Sequence, residues 1–289
     1  MTTVLVAGAT GGLGARIAQR LQEDGAAVRG LTRSGAKQPA ADGLQLVRAD
    51  LEAPETLAAA IAGAGVVVST ATAFPRDSRH DAIERVDRDG TIALVDAAEA
   101  AGVRRFVFVS FRPVLHRFPL QNAKRAVEER LRRCSFEAVV LRPGKFMDIW
   151  FSPLCGFDAH AGRAQLFGRG ESPVSWIAAA DVAEIACRAA LSPEPQPEVL
   201  ELGGPEPLSQ RDVVRIFERL SGRSFVVDEI PREELESRHR NGGDPTSVSL
   251  AALMLEADDG AVGDLEPMLA LHPLELTTVA GYAASRLGR

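Results

Sequence analysis

The stretch Val4-Leu-Val-Ala-Gly-Ala-Thr-Gly-Gly-Leu-Gly14 decides the fold of this 289-residue chain. Val4–Ala7 is a short apolar run, which predicts a buried strand. Gly8, Gly11 and Gly14 follow at a regular spacing, and a helical pattern begins among them. A strand, a glycine-rich turn and a helix in this order are typical of a dinucleotide-binding unit.

Each glycine of this turn has a different role in the backbone geometry. Gly8 allows the tight turn, Gly11 lets the backbone approach a pyrophosphate closely, and Gly14 lets the helix pack against the strand. Free backbone N–H groups and the positive end of the helix attract the phosphates. We therefore predict that the cofactor is contacted by Gly8, Thr10, Gly11, Gly12, Leu13 and Gly14.

The end of the second predicted strand, residues 27–31, indicates which dinucleotide is bound. Many dinucleotide folds place an acidic residue there to hold the ribose 2′-hydroxyl. This chain has Leu31-Thr-Arg33-Ser34 instead. Arg33, helped by Lys37, can hold a 2′-phosphate through charge-assisted hydrogen bonds. The sequence thus favours NADP(H) over NAD(H), and the alternative interpretation of Arg33 is a solvated surface arginine.

Strands and helices alternate as far as residue 150, with connections long enough for crossovers. This pattern predicts an α/β fold of the Rossmann type, a doubly wound parallel sheet with a smaller C-terminal substrate lobe. Besides the first strand and helix, the predicted strands cover 27–31, 44–49, 66–70, 105–110 and 137–141, and the predicted helices cover 54–62, 80–101 and 122–133.

After residue 150 the rhythm changes. Residues 151–175 carry several Gly and Pro residues and lack clear periodicity, whereas a helix over 181–190 and a strand over 199–202 are predicted to return to the main domain. Ser209 and Asp212 resemble a capping box. We assign 1–150, with 176–203, to a dinucleotide-binding domain, and 151–175 with 204–289 to a substrate-binding lobe.

Composition excludes several classes of function. The net charge is −6 and no basic block occurs, which argues against nucleic-acid binding. No apolar run approaches a membrane span and no signal peptide is recognisable, so we expect a cytoplasmic protein that does not bind membranes. Three widely spaced cysteines and five scattered histidines predict reduced thiols and no metal site. We expect a monomer or homodimer that acts on a small-molecule substrate.

Several stretches along the chain together match one known family: Val4–Gly14, Arg33, Ala49–Leu51, Ala97–Val103, Arg105–Ser110, Lys124, Leu141–Asp148 and Ala180–Ala183. On these residues the chain resembles the atypical short-chain dehydrogenases/reductases of the NmrA-like and isoflavone-reductase-like group. The resemblance implies that Asp50 and Leu51 lie beside the adenine ring, that Thr70, Ala71 and Thr72 face the ribose and phosphates, and that Pro143 shapes the backbone near the nicotinamide.

The same resemblance raises a question about the catalytic acid. Ordinary short-chain reductases use Tyr-x-x-x-Lys, but Leu120 stands four residues before Lys124, and the single tyrosine is Tyr282. In isoflavone-reductase-like relatives the helix lysine itself is held to be the acid/base, which implies this role, beside ribose binding, for Lys124. A solvated or purely ribose-binding lysine is the alternative. Glu128, four residues further on, is expected to face Lys124.

Other polar residues are candidates for catalysis. Ser110 ends the fifth predicted strand at the usual nicotinamide position and is a candidate for polarising a substrate carbonyl. A simple strand-end cap is the alternative for this serine. Further candidate proton donors are His116, Asp148 and His160.

Two functions follow. The first is an NADP(H)-dependent oxidoreductase that transfers hydride to a quinone, enone, ketone or similar substrate; the missing tyrosine favours quinones, whose reduced oxygens can take protons from solvent. The second is a non-catalytic NAD(P)-binding sensor that acts through a protein partner. A closed aromatic pocket favours the enzyme and simple core packing favours the sensor. The residues that discriminate are Phe146, Met147, Trp150, Phe151, Phe157, Phe167 and Trp176.

Overall fold

The structure is a computed structural model that describes residues 2–33, 44–77 and 79–288. Lys37, the expected helper of Arg33, lies outside the described residues. The chain forms two compact units. The first unit comprises Met1–Phe111, Pro119–Arg142 and Val182–Leu200; the second comprises Arg112–Phe118, Pro143–Asp181 and Glu201–Arg289. The predicted assignment of one region to the cofactor and another to the substrate stays a prediction.

Seven strands form the main sheet: β1 Thr3–Ala7, β2 Ala27–Thr32, β3 Gln45–Arg48, β4 Val66–Ser69, β5 Arg105–Val109, β6 Glu137–Pro143 and β9 Val199–Leu202. Their order in the sheet is β3-β2-β1-β4-β5-β6-β9, and the pairs from β3 to β6 are parallel. The chain order reverses between β1 and β4, which is where this type of fold binds its ligands. The predicted Rossmann-type doubly wound fold is therefore confirmed.

Helices connect and cover these strands. β1 and β4 are buried almost throughout, as expected for parallel strands with helices on both faces. On the first helix, α1 (Gly12–Glu23), Ile17 and Leu21 are fully buried. The α-helices are α1 Gly12–Glu23, α2 Leu57–Ile61, α3 Thr91–Ala100, α4 Pro119–Leu131, α5 Met147–Trp150, α6 Ala179–Leu191, α7 Gln210–Ser221, α8 Arg232–Asn241, α9 Pro245–Asp259, α10 Glu266–Leu271 and α11 Val279–Arg286.

The helix predicted over 80–101 is present, but its first half is not α-helical. Ile83–Gly90 forms a π-helix, and only Thr91–Ala100 is α-helical. Gly90, at the end of the π-helix, lies close to a neighbouring segment, because a Cβ atom there would be 2.7 Å from the Leu51 carbonyl oxygen. Similarly, the predicted helix over 54–62 begins as a 3₁₀ turn, Pro54–Thr56.

The second unit has its own core and two small sheets. β8 (Val174–Ser175) pairs antiparallel with β10 (Pro207–Leu208), and β7 (Arg163–Phe167) pairs parallel with β11 (Val226–Ile230). Residues 151–175, whose sequence lacks clear periodicity, therefore supply β7 and β8. The predicted capping box at the start of α7 is present: the Ser209 side chain accepts from Asp212 N, and Asp212 Oδ2 accepts from Ser209 N at 3.0 Å.

Within the described ranges, no helix combines the length and apolar character that crossing a membrane requires. Across those same ranges, no three His, Cys, Asp or Glu side chains are grouped so as to hold a metal ion.

Candidate functional site

The turn after β1 is held closely against the end of β4. Gly8 has a φ of +89°, in the left-handed region that favours glycine, and its carbonyl accepts a hydrogen bond from Gly11 N at 2.9 Å. A Cβ atom at Gly8 would lie 2.5 Å from Thr70 Oγ1, and one at Gly14 would lie 2.2 Å from Gly8 O. Both positions therefore need glycine for the turn, α1 and β4 to meet as they do.

No side chain among the described residues caps the amino end of α1. Gly11 is the N-cap residue and provides no side-chain cap, and the first turn contains no acidic residue. The first N–H groups of a helix lack partners within the helix, and the helix dipole makes this end positive. A Cβ atom at Gly12 would meet nothing within 4 Å, so the space there is open. The arrangement fits a phosphate group.

The residues after β4 complete this cradle. Thr70 N and Thr70 Oγ1 both donate to Ala7 O, at 2.9 and 3.2 Å. Ala71 N would lie 2.9 Å from a Cβ atom at Gly8. The structure thus brings four predicted cofactor residues together at the point where the strand order reverses. The next residue, Thr72, accepts a hydrogen bond from Phe74 N at 3.1 Å.

Two further residues of the glycine turn are accessible. Thr10 is exposed and Leu13 is half-buried. Their predicted contacts with a cofactor stay predictions.

Arg33 lies at the end of β2 with its side chain exposed. Two carboxylates are within its electrostatic reach. The pKa of Asp77 is lowered to about 2, chiefly by its hydrogen bond from Arg79 and slightly by Arg33. The pKa of Glu52 is also lowered, again chiefly by Arg79, with a small effect of Arg33. The carboxylates already have Arg79 as a bonded partner, so Arg33 keeps an exposed guanidinium.

Asp50 and Leu51 occupy the turn after β3. Asp50 Oδ1 accepts from Glu52 N at 3.0 Å, and Asp50 N donates to Thr56 Oγ1 at 3.0 Å. Leu51 is buried, and its backbone packs against Gly90 of the π-helix. These contacts give both residues a structural role. Their predicted position beside an adenine ring stays a prediction.

Lys124 lies on α4 in a buried environment. Its Nζ is 3.3 Å from Asp87 Oδ1 and 5.0 Å from the centroid of the Phe108 ring. The Lys124 side chain is 7% exposed and that of Asp87 is fully buried. The expectation that Lys124 faces Glu128 is therefore wrong, because a carboxylate from the π-helix is the partner. Sequence reasoning missed Asp87; the available signal was an acidic residue among the apolar positions of a helical face.

Glu128 instead binds the predicted catalytic serine. Ser110 Oγ donates to Glu128 Oε1 at 2.6 Å, Arg142 Nη2 donates to Glu128 Oε2 at 2.5 Å, and Arg125 donates to the same carboxylate. Burial raises the pKa of Glu128, but Arg142, Ser110 and Arg125 together more than offset this, so the pKa lies below its usual value.

The charge on Glu128 decides what Ser110 can do. An ionised carboxylate only accepts hydrogen bonds, so the single hydroxyl proton of Ser110 is committed to Glu128. Ser110 is then left with lone pairs and cannot polarise a carbonyl by donation in this arrangement. The donor role that the sequence suggested for Ser110 is thus not supported, and any other catalytic role stays a prediction.

The alternative proton donors belong to the second unit and have structural partners there. Asp148 Oδ2 accepts from Ala179 N at 2.8 Å at the start of α6. His116 Nε2 is 3.3 Å from Asp259 Oδ2, and His160 is exposed. Pro143 accepts a backbone hydrogen bond from Arg112 N at 3.4 Å. Its predicted place near the nicotinamide stays a prediction.

Most of the aromatic residues that follow Phe146, which is itself half-buried, form the core of the second unit. The rings of Phe151 and Trp176 lie 5.0 Å apart, and Tyr282, the one tyrosine, packs edge-on against Phe151 at 6.0 Å. The cavity among these side chains measures about 20 Å³, roughly the space of one water molecule, which is far too small for an organic substrate. The buried members are Met147, Trp150, Phe151, Phe157, Phe167 and Trp176. This packing is the outcome that we associated with the sensor.

Comparison with known proteins finds two proteins of similar sequence and a solved structure of the same fold. The photosystem II assembly factor Ycf39 of Trieres chinensis is 29% identical over 233 residues, which cover 79% of this chain and 72% of that protein. The NAD(P)H azoreductase of Xenophilus azovorans is 28% identical over 251 residues, covering 85% and 83%. The NADPH-dependent quinone oxidoreductase of Escherichia coli, solved with NADPH, has 20% identity and a TM-score of 0.79 over 99% of this chain and all of that chain.

The sequence model of the NmrA-like family matches residues 1–283. This match spans both units, and it includes the glycine turn and Lys124. The chain therefore belongs to the NmrA-like family.

Proposed function

We propose that this protein is an NADPH-dependent reductase that transfers hydride to a small organic acceptor, in the cytoplasm and as a monomer or homodimer. The observation that carries the proposal is the cradle of Gly8, Gly14, Thr70 and Ala71 at the uncapped amino end of α1. A related azoreductase that uses NAD(P)H and a quinone oxidoreductase of the same fold solved with NADPH support it.

The choice of NADPH rests on the end of β2. Arg33 offers an exposed guanidinium, and residues 31–33 include no carboxylate that could bind a ribose 2′-hydroxyl. A 2′-phosphate adds nearly two negative charges to the cofactor. Hydrogen bonds between a guanidinium and a phosphate are among the strong ones. We infer that Arg33 gives the protein its preference for the phosphorylated dinucleotide.

The chain's own residues bind and orient the cofactor. The backbone amides at the start of α1 hold the pyrophosphate, and Lys124 holds the ribose hydroxyls next to the nicotinamide. NADPH, when bound, supplies the hydride. Leu120 is buried where a tyrosine would stand, so no side-chain acid exists at that position. An acceptor whose reduced oxygens take protons from water therefore suits this protein best, which favours quinones over ketones.

The proposal is tested by incubating purified protein with NADPH and a panel of quinones, enones and ketones. Loss of absorbance of the reduced nicotinamide reports turnover. We expect turnover with at least one quinone, and slower or no turnover with simple ketones. Binding of NADPH without turnover of any acceptor in the panel would contradict the reductase.

A second candidate function has specific support. Lys124 is paired with Asp87, the standard tyrosine position is leucine, and the aromatic residues of the second unit are core. Several relatives are named as photosystem II assembly factors. We therefore keep as the alternative a non-catalytic NAD(P)-binding regulator that acts through a protein partner. The same panel separates the two, because the regulator predicts cofactor binding and no oxidation of NADPH.

A further inference from the structure

Asp87 connects two parts of the first unit that we have assigned to the cofactor. Its Oδ2 accepts a hydrogen bond from Ala73 N at 3.0 Å, directly after the segment Thr70–Thr72. Its Oδ1 lies 3.3 Å from Lys124 Nζ on α4. One carboxylate therefore bridges the loop after β4 and the lysine that we expect to bind ribose.

Burial of the Asp87 carboxylate lowers the stability of the protein unless its partners compensate for the lost hydration. A buried carboxylate loses its hydration, and the loss is repaid only by good partners. Asp87 is fully buried, and within the described residues its Oδ1 has no well-directed hydrogen bond in addition to the ion contact with Lys124. An apolar residue would be the simpler choice for helix packing alone. The carboxylate is thus better explained by what it holds than by core stability.

The π-helix places Asp87 next to both Ala73 and Lys124. The wider turn of a π-helix is uncommon and frequently occurs at functional sites. In the same segment, Gly90 approaches Leu51 closely, and Thr91 Oγ1, just after it, donates to Val86 O at 2.9 Å. One short helix therefore contacts Leu51, Ala73 and Lys124, which come from three separate segments of the predicted cofactor site.

We propose that Asp87 is a positioning residue for the cofactor. It fixes the loop after β4 through Ala73 N, and it holds the Lys124 ammonium in place for the ribose hydroxyls. The inference rests on the cofactor-binding part of the proposed function and deepens it. Because Asp87 acts through Lys124, its charge should matter only while Lys124 is present.

The test is a double-mutant cycle on NADPH affinity, measured by isothermal titration. Asp87→Asn keeps an oxygen for Ala73 N but removes the charge, and Lys124→Met removes the ammonium at similar length. We expect Asp87→Asn to raise the Kd about tenfold in the natural protein and less than about twofold in the Lys124→Met background. Equal effects in both backgrounds, or no effect in the natural protein, would overturn the inference.

A matched control is Asp181→Asn, the same change at another buried aspartate, which binds Thr277 N at 2.9 Å in the second unit. It should leave the NADPH Kd unchanged. If Asp87→Asn does not fold, Asp87→Glu retains the charge on a longer side chain. We expect Asp87→Glu to fold and to bind NADPH more weakly, and an unchanged Kd would contradict us. Failure of the natural protein to bind NADPH would instead refute the proposed function.

Discussion

Replacing Gly14 by alanine tests the packing on which the cofactor cradle depends. The new Cβ atom would lie 2.2 Å from Gly8 O, 2.6 Å from Gly8 C and 2.7 Å from Thr70 Oγ1. Two of these three atoms are backbone, so rotation of a side chain cannot relieve the clash. Either α1 moves away from the strand ends or the Gly8 turn is displaced.

The expected magnitude follows from two opposing effects. Glycine to alanine inside a helix normally stabilises by about 0.5–1 kcal/mol, and an extra methyl in a tightly packed site costs about 1–3 kcal/mol. Since the contacts here are very short, we use the upper end of that cost, and Gly14→Ala should destabilise the protein by about 2 kcal/mol. Displacement of the Gly8 turn should also weaken NADPH binding at least about tenfold, equivalent to about 1.4 kcal/mol.

Urea unfolding followed by circular dichroism measures the first effect, and isothermal titration with NADPH measures the second. Gly12→Ala is the matched control for stability, because it adds the same methyl to the same helix with nothing within 4 Å. Its unfolding free energy should equal that of the natural protein or slightly exceed it. The reasoning is refuted if Gly14→Ala is as stable as Gly12→Ala and binds NADPH with the natural affinity.

Three further predictions follow from the first unit. Arg33→Ala should raise the Kd for NADPH about tenfold or more and leave the Kd for NADH nearly unchanged, because only the 2′-phosphate loses a partner; titration with both cofactors checks this, and parallel losses would contradict it. Lys124→Met should abolish quinone-dependent NADPH oxidation if the protein is a reductase. The loss of nicotinamide absorbance measures this, and near-normal turnover of the variant would show that Lys124 is not needed for the reaction. Glu128→Gln should cost about 2 kcal/mol of stability at neutral pH, because it removes the charge that strengthens the hydrogen bonds from Arg142, Arg125 and Ser110. The folded-state pKa of Glu128 lies below its unfolded value of 4.5, so this stabilisation is present above pH 4.5 and is lost as the pH falls through the folded value. The difference in unfolding free energy between the natural protein and the variant, measured in urea, should therefore shrink in acid. A difference that does not change with pH would contradict a stabilising charge on Glu128.

The sequence predicted those features that depend on local pattern. The strand, turn and helix around Gly8 and Gly14 were recognisable because the local backbone geometry requires glycine at both positions. The capping box of Ser209 and Asp212 was recognisable for the same reason. Alternation of strands and helices then sufficed for the doubly wound sheet.

Features that depend on distant segments were missed. The pairing of Lys124 with Asp87 joins two helices. An acidic residue among the apolar positions of the helical face marks Asp87 as unusual, but it does not identify the partner. The expected contact between Lys124 and Glu128 is worth only about 0.2–0.5 kcal/mol as a pair four residues apart on a helix, so partners from other elements displaced it. β7 pairs with β11 across more than fifty residues, which local periodicity cannot detect.

The crystal structure of this protein with bound NADP⁺ tests the central claim most directly. We predict that the pyrophosphate oxygens accept hydrogen bonds from backbone amides at the amino end of α1, beside Gly8 and Thr70, and that the 2′-phosphate lies against Arg33. A dinucleotide bound elsewhere, or side chains occupying this cradle at saturating NADP⁺, would contradict the account.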